Sequence, residues 1–164
     1  MKKVFFFDRD GTLIENIPYL NDYKKIKYFK DTFSTLKMLR DLGYEFIIIT
    51  NQSGLARGLI TYEQMTEVHK KMRSDFSSEG IDLLDILYAP YHPTSDHPWR
   101  KPNPGMILES FRRYNIDKEN SYVVGDNITD IGVAVNAGLK SFFLSGEAKD
   151  TICINNLSEI KNHL

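Results

Sequence analysis

The sequence predicts an α/β fold with a mostly parallel sheet and helices on both faces, and two patterns carry that expectation. Short, β-rich apolar runs recur at Val4–Phe7, Phe46–Ile49, Ile86–Tyr88, Tyr122–Val124 and Phe142–Leu144. Continuous apolar runs of this length suit strands covered on both faces. Amphipathic helical segments lie between them, and strand–helix alternation calls for crossovers between parallel strands. A doubly covered, Rossmann-like sheet follows, with ligands expected beyond the carboxyl ends of its strands.

The first run ends at Asp8. Asp31 stands where a helix would start and Gly43 where it would stop, ahead of the second run. Thr61 with Gln64 three residues on is a capping box, and Gly80 closes that helix. Tyr91–Pro104 holds four of the six prolines and reads as a long loop. Pro104 suits a helix start leading into Met106–Tyr114, and Ile128–Ala137 is a further helix stopped by Gly138. The single cysteine, Cys153, lies in Thr-Ile-Cys-Ile and is expected to be a structural thiol in a strand or the core. His69 and His163 carry no signal above a solvated surface.

At 164 residues, one domain spanning 1–164 is expected, large enough to bury a core without staples. Charge is balanced, with 21 Lys plus Arg against 22 Asp plus Glu, so no nucleic-acid footprint is expected. One cysteine makes no internal disulfide, the N-terminal apolar run stops after four residues, and nothing approaches the ~20 residues of a membrane span. A cytoplasmic protein without membrane association is expected, and a monomer.

The polar residues directly after the runs are Asp8-Arg9-Asp10-Gly11-Thr12, Thr50-Asn51-Gln52-Ser53-Gly54, and Gly125-Asp126-Asn127 with Asp130. Two carboxylates at one strand end are costly to hold together unless a cation or proton intervenes. Mg²⁺ takes oxygen ligands and usually one or two carboxylates, which Asp8 and Asp126 could supply. A carboxylate can attack phosphorus to give an aspartyl-phosphate, a role open to Asp8, with Asp10 protonating the leaving oxygen and then activating water. Thr50 and the amides after it could hold phosphate oxygens, and Lys101 could neutralise transition-state charge. Taken singly, each has a bland alternative: a turn, a cap or a solvated lysine.

The ordered set, Asp-Arg-Asp-Gly-Thr (8–12), Thr50, Lys101 and Gly-Asp-x-x-x-Asp (125–130), resembles the haloacid dehalogenase-like phosphatase superfamily and spans the chain. The resemblance implies Asp8 as nucleophile, Asp10 as acid and base, and Mg²⁺ held by Asp8, the Asp10 backbone carbonyl and Asp126. It implies that Asp130 supports the site from behind the ligands, and that Thr50 and Lys101 grip the phosphoryl group. More narrowly, Thr50–Gly58 and Arg100–Met106 are similar to the D-glycero-D-manno-heptose 1,7-bisphosphate phosphatases and the related histidinol-phosphate phosphatases, both small and capless. That match implies substrate contacts at Asn16–Tyr19, including Asn16 and Tyr19, at Thr50–Ser53, including Asn51, Gln52 and Ser53, and at Arg100 and Asn127.

The chain departs from that pattern in one place. The relatives commonly carry a zinc loop, Cys-x-His with Cys-x-Cys, before Arg-Lys-Pro; here Ala89, Tyr91, His97 and Trp99 stand there. A structural zinc needs about four N/S ligands, so no zinc is expected, and His92 and His97 are expected to be ordinary loop residues. The expected activity is Mg²⁺-dependent hydrolysis of a small phosphorylated metabolite, a sugar phosphate such as the heptose 1,7-bisphosphate, losing its 7-phosphate. The alternatives are a histidinol-phosphate phosphatase and a non-catalytic phosphate-binding interaction domain.

Overall fold

The computed structural model describes residues 1–164. Six strands form one sheet: β1 (Lys3–Phe7), β2 (Tyr44–Asn51), β3 (Leu83–Ala89), β4 (Tyr122–Gly125), β5 (Lys140–Phe143) and β6 (Ile152–Cys153). Their order is β3-β2-β1-β4-β5-β6, and each neighbouring pair is parallel. The helices are α1 (Thr32–Asp41), α2 (Tyr62–Ser78), α3 (Gly105–Arg113) and α4 (Ile128–Ala137), with 3₁₀ turns at Tyr23–Lys25 and Leu157–His163.

The apolar runs are unbroken because each strand feeds two cores. Phe5, Phe7, Phe46 and Ile48 face one core with Leu36 and Leu39 of α1 and Val68, Met72 and Phe76 of α2. Val4, Phe6, Ile47 and Ile49 face the other, with Met106 and Ile107 of α3 and Val133 and Ala134 of α4. Successive side chains on a strand point to opposite faces, so both need an apolar residue.

The Thr61–Gln64 capping box forms, and Gly138 ends α4 in the left-handed conformation. Asp31 occupies the cap position of α1, but its side chain makes no capping bond; it accepts from the Ser158 backbone N–H at 3.0 Å and ties down the C-terminal turn.

Two expectations fail. Cys153 does lie in a strand, but β6 is a two-residue edge strand and the thiol is exposed, not core. His69 is not a surface residue: it is 8% exposed, because it falls on the buried stripe Met65, Val68, His69, Met72 and Phe76 of α2.

The strand order reverses at β1. β2 lies on one side of it and β4 on the other. The crevice beyond their carboxyl ends is where this class of sheet binds ligands.

Candidate active site

β1 and β4 deliver two carboxylates to that crevice. The Asp8 N–H donates to Val124 O at 2.9 Å, extending the β1–β4 ladder by one residue. Gly11 turns the chain back with φ +80, and a Cβ there would lie 2.1 Å from Asp126 Oδ2. Only glycine allows both the backbone conformation and that approach. Thr12 Oγ1 then donates to Asp126 Oδ1 at 3.1 Å.

Lys101 comes from the loop between β3 and α3. Its ammonium is 2% exposed and all three of its donors are matched: Asp8 Oδ1 at 2.9 Å, Asp130 Oδ1 at 2.7 Å and Ile49 O at 3.0 Å. The loop is fixed from both sides. Asn51, at the end of β2, exchanges two hydrogen bonds with the Lys101 backbone, at 3.0 and 3.1 Å. Farther out, the Tyr91 and His97 rings stack at 3.6 Å, and Trp99 N–H donates to His97 Nδ1 at 3.1 Å. Tyr91 and Trp99 pack on the α3/α4 core. Two of the four positions at which the sequence pattern departs, Tyr91 and His97, thus form an aromatic stack.

Asp130 has no free oxygen: Oδ1 receives Lys101 and Oδ2 accepts from Asn127 N–H at 3.1 Å, within the capping box of α4. Its side chain fills the space over Gly125, where a Cβ would lie 2.2 Å from the carboxyl carbon.

Asp8, Asp126 and Asp130 bring carboxylate oxygens within 4.8 Å of one another. One ammonium faces three carboxylates. Burial and then the Asp130 charge push Asp8 above the usual carboxylate range, while Lys101 pulls it back. Burial and the Asp8 charge raise Asp126 to about 6. Lys101 is held protonated by the Asp130 and Asp8 charges against the opposing effect of burial. The set is therefore short of positive charge. Both Asp130 oxygens already accept a hydrogen bond, whereas Oδ2 of Asp8 and Oδ2 of Asp126 accept none, which leaves Asp8 and Asp126 to take a cation; two hard oxygen donors with an excess of negative charge fit Mg²⁺.

Asp10 is placed differently. Its carboxylate receives a bidentate fork from Arg9, Nε to Oδ1 at 3.1 Å and Nη2 to Oδ2 at 3.0 Å, and Gln52 Nε2 adds a third bond at 3.1 Å. The same Gln52 amide donates to Thr50 Oγ1 at 2.8 Å. Thr50 and Gln52 are buried at the end of β2.

A cleft of about 300 Å³ opens over these groups, lined by Asp8, Asp10, Asn16, Asn51, Ser53, Arg100, Lys101, Asn127 and Thr129, without one apolar side chain. An adjoining cleft of about 260 Å³ shares Asp10, Asn16, Asn51 and Ser53 and reaches Tyr19 and Gln52. Asn51 and Gln52 have their side chains occupied by Lys101, Asp10 and Thr50. Asn127 Oδ1 caps α4. Tyr19 Oη accepts from Arg57 Nη1 at 2.6 Å, which brings in a guanidinium that the sequence pattern does not single out. Nor does the pattern single out Arg9 and Thr12 as partners of the site, since their contacts lie far away in the chain or are acidic neighbours that any surface arginine could have.

The family described as polynucleotide kinase 3 phosphatase matches residues 3–153. The chain belongs to this family, within the haloacid dehalogenase-like phosphatases. These phosphatases include a D-glycero-alpha-D-manno-heptose-1,7-bisphosphate 7-phosphatase of Photorhabdus laumondii, 38% identical over 96% of this chain and 94% of that protein. A D-glycero-beta-D-manno-heptose-1,7-bisphosphate 7-phosphatase of Pasteurella multocida is 34% identical over 88% and 82%. Among solved structures, the D,D-heptose 1,7-bisphosphate phosphatase of B. bronchiseptica, complexed with magnesium and phosphate, superposes with TM-score 0.88 at 25% identity, covering 98% of this chain and 97% of that one. The protein is a phosphatase with the open, parallel sheet of its relatives.

Proposed function

We propose that this phosphatase removes the 7-phosphate of a D-glycero-D-manno-heptose 1,7-bisphosphate through an aspartyl-phosphate on Asp8. The observation that carries the reading is the wholly polar cleft above Asp8, in which the Arg100 guanidinium, Asn16 and Ser53 make no side-chain hydrogen bond within the chain. Free donors and acceptors with no apolar wall suit a polyol carrying a second anionic group, and a planar guanidinium can grip two of its oxygens at once.

In this mechanism an Asp8 carboxylate oxygen attacks phosphorus and the bond to the sugar oxygen breaks. Asp10 gives that oxygen its proton. Water then attacks the phosphorus, Asp10 takes its proton, and the bond to Asp8 breaks to release inorganic phosphate. Lys101, held between Asp8 and Asp130, would neutralise charge on the phosphoryl group, and the Thr50 hydroxyl, which accepts from Gln52 Nε2, would be free to donate to a phosphoryl oxygen. Mg²⁺, held by Asp8, the Asp10 carbonyl and Asp126, would offset the repulsion between the carboxylate and the phosphate dianion. The 89–99 loop keeps its shape through the Tyr91–His97 stack without zinc; metal analysis finding one tightly held zinc per chain would overturn that.

The test is turnover on both anomers of the heptose bisphosphate, histidinol phosphate and a simple alkyl phosphate. A bisphosphate should lead in kcat/KM, and Arg100→Ala should lower kcat/KM on it by about tenfold or more, the loss of roughly one charged contact. The simple ester should change far less. Faster turnover of histidinol phosphate, whose amine Arg100 would repel, would overturn the substrate.

A further inference from the structure

Arg9 is an arginine with almost no contact with solvent, 1% exposed, beside the reacting centre. Two edges of its guanidinium go to Asp10. The third, Nη1, lies 3.0 Å from His69 Nε2, across the core from α2. A guanidinium only donates, so Nε2 must be the acceptor and the ring proton must sit on Nδ1. His69 is thus a neutral imidazole of fixed tautomer. Burial, with the Arg9 and Arg73 charges behind it, keeps its ring from protonating until near pH 3, so the bond persists across working conditions.

We propose that His69 is a positioning residue: its Nε2 lone pair fixes the buried Arg9 fork, and through that fork the orientation of the Asp10 carboxylate that transfers the proton. The proposal rests on the reading of Asp10 as acid and base. Its geometry is a relay of aligned bonds from α2 to the cleft. With Nε2 gone, one edge of a buried cation loses its only acceptor, and the guanidinium can turn about its long side chain. Asp10 would then be held by Gln52 and by a fork no longer fixed from behind. His69 lines neither cleft, so substrate binding should not feel the change.

The experiment uses leaving groups. An alkoxide leaves poorly without a proton, whereas 4-nitrophenolate leaves without one, and kcat/KM covers the steps through departure of that group. His69→Leu should lower kcat/KM for the alkyl phosphate by about tenfold or more, a part of the 10²–10⁴ that a full acid contributes. It should leave kcat/KM for 4-nitrophenyl phosphate within about threefold; kcat and KM for that ester fall together if the second step, in which Asp10 activates water, becomes limiting. His69→Gln, whose amide oxygen reaches about as far as Nε2, should recover most of the loss, while the shorter His69→Asn should not. The Gln and Asn pair decides the question alone should the Leu variant fail to fold. Asp10→Asn serves as the reference. If Asp10→Asn loses both substrates equally, the reading of Asp10 falls and this proposal with it. If Asp10→Asn shows the leaving-group split but the His69 variants lose both substrates equally, or neither, the proposal alone is overturned.

Discussion

At the scale of single residues, the site is a problem in charge. Three carboxylates crowd together, Lys101 pairs with Asp8 and Asp130 only, and Asp126 has no cation of its own, only the Thr12 hydroxyl. Its raised value, about 6 against the ordinary ~3.9, means that the folded, metal-free protein binds this proton more tightly than the unfolded chain does. Stability from such a group is fully present below the unfolded value and lost as pH climbs through the folded one. Asp126→Asn removes the penalty while keeping an oxygen that can accept from Thr12. In chelator, the variant should melt above wild type at pH 7.5, and the gap should close between pH 6 and 4. Thermal melts across that range check it, and a gap constant with pH would show that Asp126 is not strained. The motif carboxylates were legible in the sequence because they follow apolar runs directly. His69 was misread as surface, although it sits four residues after Met65 and three before Met72 on a buried stripe. A histidine is read by default as polar surface, and only the helical period would have corrected it. The side-chain bonds of Arg9 were not legible, because one crosses 60 residues of sequence.

At the scale of elements, α4 does two tasks with one carboxylate. Asp130 closes the capping box with Asn127 and anchors Lys101 from a position 2% exposed. The sequence showed the helix and its stop, because caps and a C-terminal glycine are local signals. It could not show that the capping residue also reaches a loop 29 residues earlier. Asp130→Ala should therefore cost more than the ~1 kcal/mol of a lost cap, because a buried ammonium also loses a partner. Turnover should fall with it, as Lys101 is no longer held between two carboxylates. Denaturant unfolding and kcat on the same preparation check both; a loss of about 1 kcal/mol with full activity would reduce Asp130 to a cap. The Tyr91–Pro104 loop was legible as a loop from its prolines. Its Tyr91–His97 stack was not, since nothing in the spacing says which rings will meet.

At the scale of the whole molecule, the two halves of the sheet meet at the carboxyl ends of β1 and β4, and the acidic residues that follow them repel. The hydrogen-bond ladders and two apolar cores hold the strands together below that point. A divalent cation between Asp8 and Asp126 would convert the repulsion at the top of the sheet into a clamp across its switch point. Binding to the folded state alone stabilises by about 2.7 kcal/mol at a hundredfold excess over Kd. For a chain of this length that is roughly 5–10 °C in Tm. Mg²⁺ should therefore raise the Tm of wild type by that order and restore activity after chelation. The rise should be largely lost in Asp126→Asn, and it should survive in Arg100→Ala, whose guanidinium lines the cleft and is not one of the proposed ligands. An equal Mg²⁺ response in all three proteins would place the ion elsewhere on the molecule. A response lost in Asp126→Asn alone would place it between the strands, where the order of the sheet reverses.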